Sequence, residues 1–386
     1  MKSTEYQEII WKMMCGILRP FLKWYLHLEA QPLPDIGPMM LVCNHVTNLD
    51  PLFLSAASPR KMLVFVASEN ILRNRPRLRR ILYWAFSPIS RRKGASAVDT
   101  CRKILRTLHS GRSVCLFAEG ETTWNGKTGP LKSGTEVLVK AAGVPLVTYC
   151  LQGGYFTAPR WGRGLRRGKL AGVVTGVYSA EQIHSMSGEA LRSVIERGIF
   201  NDACEMQHRE KVRYTGHHRM DQVDSLLFLC PKCHQIGTLH GEENLVTCSC
   251  GFSSLFNDCM FPADSSPFPD LYTWDEWQTA AFADKVRAEK NLEIRDSSDE
   301  LVLWEIASDH SLRLAAHGAL SMNRQEMVIG DLHFSLPDIR DIALLQNRKA
   351  AIAYQDRYFE LHAPHVLCLR KYLLFWQTAV SSAHQL

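Results

Sequence analysis

The sequence predicts an α/β protein: a mixed sheet with flanking helices over the first half, then a zinc ribbon and a small β-rich domain. Three observations carry this. Short apolar runs alternate with helical patterns between residues 35 and 200, the signature of a sheet with helices on its faces. Four cysteines then fall in two close pairs, Cys230-Pro231-Lys232-Cys233 and Cys248-Ser249-Cys250. Beyond residue 290, short strand-like runs follow one another between turn residues.

The chain has 386 residues, which favours two or three folded units. It is 46% hydrophobic and 22% charged, so it can bury a core and does not read as disordered. A formal net charge of +6 admits anionic partners without choosing among lipid, phosphorylated substrate and nucleic acid. Two basic clusters stand out, one around Arg73, Arg75, Arg77, Arg79 and Arg80, the other around Arg160, Arg163, Arg166, Arg167 and Lys169. Each reads equally well as a solvated face or as an anionic-ligand surface.

The first thirty residues are apolar but interrupted by Lys12, Arg19, Pro20 and Lys23, so no uninterrupted stretch is long enough to cross a bilayer. Ile9, Ile10, Met13, Met14, Ile17, Leu18, Phe21 and Leu22 recur at helical spacing, and Trp11, Trp24 and Tyr25 are residues that favour headgroup depth. A helix bent or broken at Pro20 is expected, lying on a membrane surface or packed on the protein's own core.

Strands are expected at residues 39–43, 63–67, 114–117, 145–151 and 170–177. Helices are expected at 51–57, 72–86, 98–108 and 134–142. The polar stretch 200–225 suits a linker, and 274–290 reads as a helix. Strand-like runs follow at 301–306, 312–314, 326–329, 333–336, 351–354, 358–361 and 366–369, and a closing helix at 372–380.

The first strand runs into Asn44-His45-Val46-Thr47-Asn48-Leu49-Asp50-Pro51. Asp50 before Pro51 suits a helix cap. It also suits a carboxylate that orients an imidazole, fixing its tautomer and stabilising its charged form. A base of reference pKa about 6.5 can take a proton from a hydroxyl at neutral pH. No activated serine or cysteine lies near, so direct attack by an acceptor hydroxyl is the simpler chemistry. A second strand ends in Phe117-Ala118-Glu119-Gly120-Glu121-Thr122-Thr123-Trp124, and Val144-Pro145-Leu146-Val147 opens a third.

Taken in order, these pieces resemble the glycerolipid acyltransferase family, which includes lysophosphatidate acyltransferases. His45-x4-Asp50 matches its first motif, Pro88-Ile89-Ser90-Arg91 its second, Phe117 to Thr123 its third and Val144 to Val147 its fourth. The likeness covers roughly residues 5 to 205. It implies a glycerolipid acyltransferase-like mixed sheet, with His45 as general base and Asp50 orienting it. Asn44, Arg91 or Arg92, Glu119 and Gly120 would meet the acceptor. The donor would be a thioester, acyl-CoA or acyl carrier protein, and the acceptor a lysophosphatidate-like glycerolipid. The third motif departs from the family's Phe-Pro-Glu-Gly-Thr-Arg-Ser: Ala118, Glu121 and Thr122 replace proline, threonine and arginine. Lys127 or Lys132 could supply the missing cation.

Cys230, Cys233, Cys248 and Cys250 have the spacing of a closed structural zinc site. His234, His240 and Cys259 stand in reserve. Redox cycling is the rival use of such pairs. The stretch between them holds Glu242 and Glu243 and no arginine, so nucleic acid is not an expected partner. The other eight cysteines lie among apolar neighbours and read as buried thiols of a reducing compartment.

The expected organisation is an interfacial amphipathic segment at 1–30, an acyltransferase domain at 31–205, a linker at 206–225, a zinc ribbon at 226–260 and a β-rich, pleckstrin-like domain at 270–382. The expected location is cytoplasmic, peripheral on a membrane. The alternative from another class is a catalytically weak lipid-binding or regulatory protein of the same fold.

Overall fold

The computed structural model describes residues 3–68, 76–91, 97–263, 266–297, 300–307, 311–364 and 367–383. Its contacts form two compact units, residues 1–160 with 164–216, and residues 161–163 with 217–386.

The first unit is built on one seven-stranded sheet. Its strands are β1 (Leu28–Ala30), β2 (Met40–Cys43), β3 (Leu63–Ser68), β4 (Ile89–Arg91), β5 (Ser113–Phe117), β6 (Leu146–Gln152) and β7 (Leu170–Tyr178). They lie in the order β1-β7-β6-β2-β5-β3-β4. The five from β6 to β4 are parallel, and β7 turns antiparallel against β6. β2 is buried along its whole length and β5 along most of it, as a parallel sheet covered on both faces requires.

The helices are α1 (Ser3–Leu26), α2 (Asp50–Ala57), α3 (Pro76–Phe86), α4 (Val98–His109), α5 (Thr135–Ala142), α6 (Gly154–Thr157), α7 (Ala180–Ser185), α8 (Gly188–Ile199) and α9 (Ala203–Glu210). Their buried residues follow helical spacing: Thr100, Ile104 and Leu108 on α4, and Leu191, Ile195 and Ile199 on α8. Part of the helix expected at 72–86 lies outside the described residues. The stretch expected as a linker begins inside α9, which Asp202 caps by accepting from the Glu205 amide. Tyr214 beyond it is buried. Buried anchors fold this stretch despite its polar composition.

α1 continues through Pro20, so the helix is not broken there. Proline removes one helical hydrogen bond, but side-chain packing holds both flanks. Trp11 Nε1–H donates to the Ser58 carbonyl at 2.7 Å, the Cys15 thiol donates to the Ser55 carbonyl, and Leu22 and Leu26 are buried. These contacts seat α1 against α2. The same helix exposes Ile9, Met13, Ile17, Phe21 and Trp24, with Ile17 76% and Trp24 69% accessible. Tyr6 meets Trp84 of α3 edge to face at 5.0 Å, which carries the apolar surface onto α3. No helix among the described residues is long and apolar enough to cross a membrane.

The second unit opens with three antiparallel strands, β8 (Leu239–Glu242), β9 (Leu245–Cys248) and β10 (Ser253–Leu255). α10 (Leu271–Ala288) leads to two antiparallel sheets of four and five strands between Ile294 and His362, followed by α11 (Leu369–Ala383). Of the run expected as a strand at 366–369, residue 366 lies outside the described residues and Leu369 opens α11. There Arg370 forks onto the fully buried Asp275 of α10, with Nη2 2.9 Å from Oδ2.

Candidate active site

β2, β5 and β6 are in register, with Cys43 level with Phe117 and Tyr149. The chain leaves β2 and β5 at the same edge of the sheet, and two residues further on stand His45 and Glu119. In open α/β sheets this edge is where ligands bind.

Asp50 is the first residue of α2, and the position before it makes no side-chain cap. The expected cap is thus replaced by a different use. Asp50 Oδ2 faces back over the preceding loop and accepts from His45 Nδ1 at 2.7 Å, the Val46 amide at 2.8 Å and the Thr47 amide at 3.1 Å. Those loop amides have left the sheet ladder and need an acceptor. Burial pushes the Asp50 carboxyl up, while His45 and the two amides pull it down. An ionised carboxylate can only accept, so in the neutral ring the proton sits on Nδ1 and the lone pair on Nε2. The imidazole stacks on Phe117 with ring centroids 4.1 Å apart and is 18% accessible.

The third-motif turn holds the main chain of His45 from both sides. Glu119 Oε1 accepts the His45 N–H, and His45 C=O accepts the Thr123 N–H at 2.9 Å. The other Glu119 oxygen accepts the Gly129 N–H at 2.7 Å. Burial raises the Glu119 pKa to about 7, against these two amide bonds. Gly120 has φ +75°, a backbone conformation that favours glycine, and the Lys132 stem lies over it, Cε 2.8 Å from where a Cβ would stand.

The other expected acceptor residues are dispersed. Asn44 is fully buried, and its amide pins β2 to β6 by bonding both the N–H and the C=O of Leu151. That geometry makes it a clamp between the end of β2 and β6. Arg91 closes β4, three strands from β2, and Arg92 lies outside the described residues. The second basic cluster is not one surface. Arg160 and Arg166 are buried, and Lys169 pairs with Glu210. Of the first, Arg77 and Arg80 are exposed, while Arg73 and Arg75 lie outside the described residues.

Arg160 belongs at the site, and sequence reasoning placed it only in a charge cluster. Its guanidinium bonds Glu121 at 2.8 Å and the Thr122 carbonyl at 3.0 Å, and lies over the Trp124 ring at 4.1 Å. The unusual Glu121 is therefore the partner of an arginine some forty residues away. The one hint in the sequence was the pair of departures itself, a new acid where a base is missing.

In the second unit, the sulfurs of Cys230, Cys233, Cys248 and Cys250 all lie within 4.8 Å of one another. Cys230 and Cys250 are 3.7 Å apart, and Cys233 and Cys248 3.8 Å. A tetrahedron with metal–sulfur bonds of about 2.3 Å has edges of about 3.8 Å. The set can hold a metal ion. Thr238 Oγ1 lies 3.2 Å from Cys248 Sγ, where it can support the ligand from behind. His234, His240 and Cys259 are not in this group.

The acyltransferase family profile matches residues 27–152, which span the His45–Asp50 loop, the Glu119 turn and β6. It is this span of the chain that resembles the family. Chloroplastic 1-acyl-sn-glycerol-3-phosphate acyltransferases are similar to it. That of Brassica napus is 28% identical over 156 residues, 39% of this chain and 43% of the relative. That of Arabidopsis thaliana is 26% identical over 200 residues, 50% and 54% respectively. The chain thus spans about half the length of these curated relatives. The crystal structure of a 1-acyl-sn-glycerophosphate acyltransferase from Thermotoga maritima is 19% identical, with a TM-score of 0.42, covering 50% of this chain and 78% of that one.

Proposed function

We propose that the acyltransferase domain moves an acyl group from a thioester, acyl-CoA or acyl carrier protein, onto the hydroxyl of a lysophosphatidate-like glycerolipid. The observation that carries this reading is the 2.7 Å contact between His45 Nδ1 and Asp50 Oδ2. It leaves Nε2 as a base on an accessible ring. Nε2 takes the proton as the acceptor oxygen attacks the thioester carbonyl. The buried Asp50 charge stabilises the imidazolium that results. The carbon–sulfur bond breaks as the ester forms, and the thiol departs with the proton His45 held.

The exposed apolar side of α1, with Lys12, Arg19 and Lys23 around it, suits peripheral attachment to an anionic bilayer. There the domain would meet a lipid acceptor without extracting it into water. The four cysteines would hold structural zinc. Four thiolates fill a tetrahedral ion's coordination, so this site supplies stability and no reaction step.

The test is thiol release from acyl-CoA, and from an acylated carrier protein, with a panel of lysolipids. His45→Ala is expected to abolish release while leaving the melting temperature and vesicle binding unchanged. Normal turnover by that variant overturns the mechanism. Vesicle binding by the wild-type protein with no thioester consumed would favour a lipid-binding protein instead.

A further inference from the structure

A phosphate-bearing acceptor needs a cation near His45, and the residues around the site narrow the choice. Arg160 is buried and committed to Glu121, the Thr122 carbonyl and Trp124. Lys127 turns to Asp202, 3.7 Å away. Arg91 stands on β4, with β5 and β3 between it and β2. At about 4.8 Å per strand, that is roughly 14 Å across the sheet. In a lysophosphatidate, the phosphorus is only three bonds from the carbon that bears the hydroxyl. Arg91 would have to reach across two strands to meet it.

Lys132 crosses none. Its backbone N–H donates to the Ala118 carbonyl at 2.9 Å, so it is fixed to the turn that follows β5, the neighbour of β2. Its stem lies across Gly120, with Cγ and Cε 3.2 and 2.8 Å from where a Cβ would stand. Gly120 thus provides the shelf on which the stem rests. The residue is exposed, and no carboxylate among the described residues pairs with its ammonium. Among the described residues at this turn, Arg160 is buried, stacked and paired, Lys127 is half-exposed but leans to Asp202, and Lys132 is exposed.

Resting on the acyl-transfer reading above, we infer that Lys132 is a specificity-determining residue that binds the phosphate monoester of the acceptor. The turn has exchanged cations. Arg160 neutralises Glu121 from behind, and Lys132 supplies the positive charge in front. An ammonium on a flexible stem acts as a point charge, without the forked geometry of a guanidinium. It selects for charge more than for headgroup shape.

The test compares full-length wild-type protein, Lys132→Met and Lys132→Arg. Methionine keeps a stem over Gly120 and removes only the charge, and the melting temperature checks that folding is retained. Binding and thioester turnover are measured with a short-chain 1-acylglycerol 3-phosphate and with the uncharged 1-acylglycerol. In Lys132→Met, affinity for the charged lysolipid is expected to fall and its KM to rise by about tenfold or more, kcat staying within about twofold. The uncharged lipid is expected to be unaffected, and Lys132→Arg to restore the charged one. Equal losses for both lipids would mean the stem matters only for packing, and no loss for either would mean the phosphate is held elsewhere. Either result overturns the inference. Charge-selective binding by a wild-type protein that consumes no thioester would sink the acyl-transfer reading and leave Lys132 standing.

Discussion

The Glu119 carboxylate accepts the backbone N–H of His45 at 2.7 Å. Its other oxygen accepts the Gly129 N–H, so one buried side chain ties the base to the loop beyond the third-motif turn. Glu119→Gln keeps one acceptor oxygen and turns an NH₂ group on the other amide. One tie must break, at a cost of about 1–3 kcal/mol for a buried, unsatisfied group. Acyl transfer by Glu119→Gln is expected to fall about 10- to 100-fold, mainly in kcat, measured by thiol release.

The same residue gives stability a pH dependence. Folded Glu119 keeps its proton to about pH 7, whereas unfolded it releases it near 4.5. Between those values the folded state binds more protons, so raising the pH costs stability, by about 3 kcal/mol across the window. Denaturant unfolding at pH 5 and pH 8 is expected to show a contribution of this sign in the wild type that is missing from Glu119→Gln. A slope unchanged by the substitution would mean another group titrates there.

Asp50→Asn separates shape from charge. An amide oxygen in the place of Oδ2 can still take the three bonds of the loop and ring. The amide nitrogen then replaces Oδ1, which is buried with no partner. The variant is expected to fold, losing about 1–3 kcal/mol to that buried donor. Its kcat should drop by about 10²-fold or more because the imidazolium loses its counter-charge. A variant with near-normal kcat would show that Asp50 only shapes the loop.

The cysteine set predicts one bound zinc per chain by elemental analysis. Strong chelation, or Cys233→Ser with Cys248→Ser, is expected to remove it and lower the melting temperature. Folding of such small units is coupled to the metal. Protein that retains its melting temperature without metal would contradict a structural role.

Replacing Ile17 and Trp24 by aspartate probes the exposed side of α1. Both side chains are mostly accessible, so folding should be unaffected. Each buried apolar side chain is worth about 1.5–3 kcal/mol, so the double variant is expected to bind anionic vesicles at least about 100-fold more weakly in sedimentation. Unchanged binding would place the lipid contact elsewhere.

Much of the first unit could be read from the sequence because its central strands are continuous apolar runs. β2, β5, β6 and β7 fall within about a residue of expectation. The three-residue strands β1 and β4 carry no such run, and pairing with β7 and β3 alone makes them strands. α7, α8 and α9 were missed although Ser179 with Gln182, Ser187 and Asp202 are legible caps. At the site, His45 and Asp50 are five residues apart, and their meeting is local. Glu119 reaches His45 across 74 positions because β2 and β5 are neighbours, and Arg160 reaches Glu121 across 39. Contacts of that kind come from strand order, which residue spacing does not encode.

α1 meets α2 through Trp11 and Cys15, and α2 begins at Asp50. If the other side of α1 rests on a bilayer, the imidazole has a fixed height above it. Two packed helices set that height, and no loop needs to move to adjust it. The depth at which a lipid must offer its hydroxyl is then a built dimension of the protein, and acceptors with longer or shorter headgroups would be sorted by where their hydroxyls sit.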